Sequence, residues 1–137
     1  MPVIFFLHGL ESGPDGLKIQ AMRRVAERLG WHTNAPDFRG MRDPALRASY
    51  LRELLPHNQF VLLVGSSLGG YVAASVASSP GLVQGLFLLC PAFDLPQYPL
   101  TRPKQPLRGN AVRIVHGRHD SVVPLTNSER AASEWQC

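Results

Sequence analysis

Three short stretches hold the side chains that could carry covalent chemistry. The densest is Gly65-Ser66-Ser67-Leu68-Gly69, followed by Gly70, set between an apolar run and a small-residue stretch of helical character. A serine on a tight strand-to-helix turn is lifted out of its sheet toward a base, and flanking glycines remove side chains that would clash where the turn doubles back. The helix that follows aims its first amides and its dipole at developing negative charge. By this pattern Ser67 is the nucleophile of an acyl transfer, and Ser66 fills the variable position. Five residues of this form also occur as an ordinary Gly-Ser turn, so the reading depends on the strand and helix around it.

The second stretch is Leu7-His8-Gly9-Leu10, which ends an apolar run and enters the loop Glu11-Ser12-Gly13-Pro14. In doubly wound sheets ligands bind at the carboxyl ends of strands where the winding reverses. If strands 3–7 and 60–64 are neighbours, this loop faces the serine turn. The oxyanion site is then the backbone amides of Leu68 and Leu10. For His8, a structural imidazole bonded to the loop backbone is the simpler role, with direct catalysis the alternative. The third stretch is Val115-His116-Gly117-Arg118-His119-Asp120-Ser121-Val122-Val123-Pro124. An acid just after a strand and downstream of the serine suits the order Ser, acid, His, in which Asp120 would orient an imidazole and stabilise its cation. The plainer role for Asp120 is a turn or helix cap.

The elements that must position these residues alternate along the chain. Val3 to Leu7, Phe60 to Val64, Gly85 to Cys90 and Ala111 to Val115 are continuously apolar, the mark of strands buried on both faces, and Trp31 to Asp37 reads as a weak edge strand. Between them, residues 15–29 place Met22, Val25, Ala26 and Leu29 on one helical face, with Gly30 as the stop. Asp43-Pro44 caps a second helix that runs to Leu55. Ser67 to Ser78 is a third helix. Leu125 to Trp135 is a fourth, with Thr126 and Glu129 spaced as a capping box. Five prolines between 91 and 110 predict an irregular excursion. The expected fold is α/β: a parallel, doubly wound sheet of five strands with helices on both faces, forming one domain over residues 1–137.

Composition narrows the function. The 137 residues are 45% hydrophobic and 18% charged, enough apolar content for one packed domain. The longest apolar runs fall far short of the roughly 20 residues of a membrane span, and no secretory leader is visible, so a cytoplasmic protein is expected. The net charge is +4, but the basic residues are scattered and no cluster interleaves with aromatics, which argues against a nucleic-acid partner. Cys90 and Cys137 read as free thiols, Cys90 as a small core hydrophobe. His116 and His119 lie close together without evident third and fourth ligands, so no metal is expected. No phosphate-binding glycine motif follows the first strand, so no nucleotide or other cofactor is expected.

Together LHGLESGP (7–14), VGSSLGG (64–70), LLCPAF (88–93) and VHGRHDSVVP (115–124) resemble the α/β-hydrolase superfamily, specifically its small, nearly lidless serine esterases. The segments occur in the family's order across the whole chain. The resemblance implies hydrolysis of a small acyl ester or thioester through an acyl-serine intermediate. Ser67 would attack, the Leu10 and Leu68 amides would hold the oxyanion, and Asp120 would support the base. The sequence departs from the family at that base, a histidine on a loop after one further strand beyond the acid. Only 17 residues follow Asp120, and no histidine occurs after His119. The resemblance thus implies a member short of one strand, the histidine loop and a terminal helix, with His119 and His8 as the candidate substitute bases. Losing the base costs several orders of magnitude in rate. A non-catalytic ligand-binding relative is the alternative. An absent last strand would also leave the strand at 111–115 as a free edge, inviting a homodimer.

Overall fold

The computed structural model describes residues 2–96 and 100–137. Met1, and residues 97–99 at the centre of the expected excursion, lie outside the described residues. Five parallel strands form one sheet in the order β2-β1-β3-β4-β5: β1 Val3–Leu7, β2 His32–Asn34, β3 Val61–Ser66, β4 Gly85–Leu89 and β5 Val112–Val115. Four helices join them: α1 Leu17–Arg28, α2 Pro44–Leu54, α3 Leu68–Ala77 and α4 Leu125–Trp135. The fold is α/β, as the alternation of apolar runs and amphipathic stretches requires.

The two faces of the sheet are covered unequally. On one, Phe5, Leu7, Leu63 and Leu88 pack with Leu51 of α2, Val72 of α3, and Ala131 and Trp135 of α4. Trp135 is fully buried, stands edge-on to Phe93, and donates its indole N–H to the Pro103 carbonyl at 2.9 Å. On the other face α1 is the one helix among the described residues packed on Ile4, Phe6 and Val64, through Ile19 and Ala26, with Trp31 and Ala35 at its margin. The expected apolar stripe of α1 is therefore only partly used. Val25 is 51% and Leu29 73% exposed, and both line an open apolar trough of about 430 Å³ that also touches Leu62 and Phe87.

Local signals explain most element ends. Asp43 accepts the Ala45 amide at 2.9 Å and Pro44 opens α2, as expected. Gly30, after α1, has φ +90°. The capping box expected at Thr126 and Glu129 does not form. Pro124 occupies the N-cap of α4, and no side chain caps that helix. Thr126 consequently falls inside the first turn, two positions too late to cap it. The weak strand expected over Trp31 to Asp37 is reduced to His32–Asn34, whose alternately exposed side chains suit an edge.

Arg102 and Pro103 tie the described part of the excursion to α4. Arg102 pairs with Asp94 and, at 2.6 Å, with Glu134. A single 3-10 turn, Gly109–Ala111, leads into β5. Among the described residues no helix is long and apolar enough to cross a membrane.

Candidate active site

Strand order places the chemistry. β2 lies to one side of β1 and β3 to the other, so the winding reverses between β1 and β3, and their carboxyl ends open into one crevice. Leu7 pairs with Gly65 at that end. The chain leaves β3 through Ser67, which has φ 54° and ψ −118°, a left-handed conformation that costs a serine on the order of 1–3 kcal/mol. The surroundings leave no alternative. The Ser67 amide donates to the Leu89 carbonyl at 3.0 Å, while its carbonyl accepts the amides of Gly70, Tyr71 and, across the crevice, Ala92. A Cβ on Gly65 would run into the Gly69 backbone, and one on Gly69 into the Leu7 carbonyl. The two glycines are therefore steric requirements of the turn.

Ser67 lines a cleft of about 550 Å³ together with Leu10, Leu68, Lys18, Cys90 and Asp120. A Cβ on Gly9 would lie 3.4 Å from that of Ser67, so the loop after β1 passes directly beside the serine. Leu68 is the first residue of α3, and its amide has no partner within the helix. The Asp120 carboxylate accepts the Val122 and Val123 amides at 2.9 Å through one oxygen. Its other oxygen lies 3.5 Å from Nε2 of His116. These amide bonds, that from Val123 foremost, hold the Asp120 pKa below the usual carboxylate value. Asp120 is thus both the turn cap and a charged wall of the cleft.

The cleft gathers Ser67, Leu10, Leu68 and Asp120, but not the histidines. His8 is fully buried: its Nδ1–H donates to the Gly9 carbonyl at 2.7 Å, and Nε2 accepts the Phe38 amide at 2.8 Å. With both nitrogens engaged it has no lone pair for a serine proton, which corrects the substitute-base role considered for it. His119 is exposed on the turn before Asp120 and is not among the residues lining the cleft. His116 donates to the Val123 carbonyl and faces the Ser128 hydroxyl, each at 2.7 Å. Among the described residues no three His, Cys, Asp or Glu side chains are grouped to hold a metal ion.

Two contributors escaped the sequence reading. Arg47 of α2 is 1% exposed and donates to the carbonyls of His8, Gly9 and Met41, with its guanidinium 5.2 Å from the Phe38 ring centre. It anchors the loop that passes Ser67. The available signal was its spacing, since Arg47 sits on the same helical stripe as Ala48 and Leu51. Cys90 is half-buried, not a core residue: it has φ 38° and lies at the crevice beside Ser66, Ser67 and Asp120. Burial pushes its thiol pKa up, so it is a thiol and not a thiolate. Its place at the end of a strand, before Pro91, was the signal.

A reversing parallel sheet with a left-handed serine turn facing a backbone-lined crevice defines the α/β-hydrolase class. Comparisons agree. A protein from Xanthomonas campestris pv. campestris, described as belonging to the alpha/beta hydrolase superfamily, is 33% identical and superposes with a TM-score of 0.83 over 98% of this chain and 82% of its own. The ydeN gene product of B. subtilis is 15% identical (TM-score 0.74, 100% and 82% covered), and an alpha-beta serine hydrolase homologue from Coxiella burnetii is 19% identical (TM-score 0.74, 97% and 70% covered). At those identities the two share the fold. Comparison with curated proteins returned no match. The uncharacterised protein family UPF0227 matches residues 3–102, and the chain belongs to that family, within the α/β-hydrolase superfamily.

Two outcomes follow for the support of the crevice. Arg47→Met, which strands three carbonyls, should lower unfolding stability by about 3 kcal/mol, read from the urea midpoint. Burial holds His8 below the usual imidazole pKa of about 6.5. The unfolded state therefore takes up a proton that the folded state refuses. Stability is complete above pH 6.5 and falls as the pH drops below it. A melting temperature that declines between pH 7 and 5, with a shallower decline in His8→Asn, is expected.

Proposed function

We propose that this chain is a serine hydrolase acting on small carboxylic esters or thioesters through an acyl-serine intermediate. The observation that carries the reading is Ser67, held left-handed at the carboxyl end of β3 and opening into the cleft. Its Oγ attacks the acyl carbon, and the negative charge that develops on the carbonyl oxygen falls between the Leu10 and Leu68 amides. The serine proton passes to water, the alcohol or thiol leaves with a proton, and a second water releases the acid. Asp120 stays ionised at the cleft wall, where its charge favours the positive charge that develops on the water taking up the serine proton. The cleft is open, which suits short, soluble acyl groups.

No imidazole of the described residues lines this cleft, so acylation of the 137-residue chain is slower by several orders of magnitude than with a histidine base. Thioesters and activated esters, whose leaving groups need little protonation, are accordingly its better substrates. The same observation favours a second reading, a non-catalytic ligand-binding member of the superfamily.

Treatment with a fluorophosphonate followed by intact-mass analysis separates the two. A single adduct on Ser67, absent from Ser67→Ala, is expected of the hydrolase. A folded chain that stays unlabelled but binds esters equally well after Ser67→Ala supports the binding protein instead. The unpaired outer edge of β5, with Val115 53% exposed, further supports a homodimer. Light scattering should then report twice the 15.1 kDa chain mass. A concentration-independent monomer overturns that part of the proposal.

A further inference from the structure

Three charged side chains line the cleft: Glu11, Lys18 and Asp120. Lys18, in the first turn of α1, lines the cleft and also borders a smaller cavity of about 260 Å³ that Ser66 lines too. The arginines nearby are spoken for: Arg42 pairs with Glu11, Arg39 with Asp37, and Arg102 with Asp94 and Glu134. Among the described residues Lys18 has no such acidic partner. The amino-terminal ends of α1 and α3 both open at this crevice, and neither carries an acidic side chain in its first turn. Their positive dipole ends therefore add to the charge of Lys18. Of the two carboxylates lining the cleft, Glu11 is turned to Arg42, and one oxygen of Asp120 is occupied by two amides. The ammonium field reaches the cleft floor, where it draws the Cys90 thiol toward ionisation against the effect of burial.

We infer that Lys18 is a specificity-determining residue that selects esters or thioesters carrying a second, anionic group, a carboxylate or a phosphate. This rests on the reading of Ser67 as the nucleophile only for turnover; recognition of the anion needs the cleft alone. A free ammonium on a flexible stem, the one basic side chain among the residues lining the cleft, offers an anion a point charge rather than a fixed fork. The ester end then lies toward Ser67 and the anion toward α1. Neutral esters of the same length lack that second anchor.

The test is competition and binding with three matched probes: monomethyl succinate, methyl butyrate and 2-acetoxyethyl phosphate. Each is titrated by NMR into the intact chain and, separately, set to protect Ser67 from fluorophosphonate. The anionic probes should bind about five- to tenfold more tightly than methyl butyrate, an advantage that shrinks as salt rises. The ratio should collapse toward one in Lys18→Met and invert in Lys18→Glu. Both anions preferred equally indicates charge recognition alone. One preferred over the other identifies the natural group. Equal binding of anionic and neutral probes, or a preference that survives Lys18→Glu, overturns the inference. Labelling of Ser67 without charge preference leaves the hydrolase standing and the inference refuted. A Lys18-dependent preference without labelling does the reverse.

Discussion

The carboxyl end of β3 must turn into α3 within a single residue, and that constraint organises the rest of the molecule. A serine does not enter the left-handed region unaided. Here the end of β4 accepts its amide, and the irregular segment that leaves β4 through Pro91 and Ala92 donates to its carbonyl. Gly65 and Gly69 let the first turn of α3 sink against the ends of β3 and β1. Strain at the serine is thus balanced by hydrogen bonds drawn from two neighbouring segments. Loosening any of them would let Ser67 relax into an ordinary helix start and withdraw its hydroxyl from the crevice.

A second layer holds the other wall. His8 and Arg47 are the largest polar side chains buried in the fold, and neither faces the cleft directly. Arg47 gathers three carbonyls, and His8 ties the loop after β1 to the Phe38 amide. Together they convert a glycine-containing loop into a rigid rim beside Ser67. Backbone amides can serve as an anion site only when the loop bearing them does not move. A buried cation bound wholly to carbonyls is costly to disturb, because removing it leaves those carbonyls dry and unpaired.

Much of this was legible from residue patterns. The continuous apolar runs dictated a parallel sheet, and the Gly-x-Ser-x-Gly stretch between strand and helix located Ser67. Asp43-Pro44 marked the start of α2. Other features depended on tertiary packing that periodicity does not encode. Val25 and Leu29 sit on a helical stripe, yet no described residue covers the open trough they line, so they stay in solvent. Thr126 and Glu129 have capping spacing, but Pro124 starts the helix first. His8 was ambiguous in sequence because its role depends on Phe38, 30 residues away. Arg47 was overlooked because a charged residue in an apolar stripe looks like an exception until the carbonyls it collects are known.

The unequal cover of the sheet gives the molecule a grain. Three helices share one face with the large aromatic side chains, while α1 rests on the other through Ile19, Ala26 and a few partly buried neighbours. The first turn of α1 also carries Lys18. Occupancy of the cleft by a ligand that touches Lys18 would therefore tether α1, and the amides of α1 would gain protection from hydrogen exchange while those of α3 changed little.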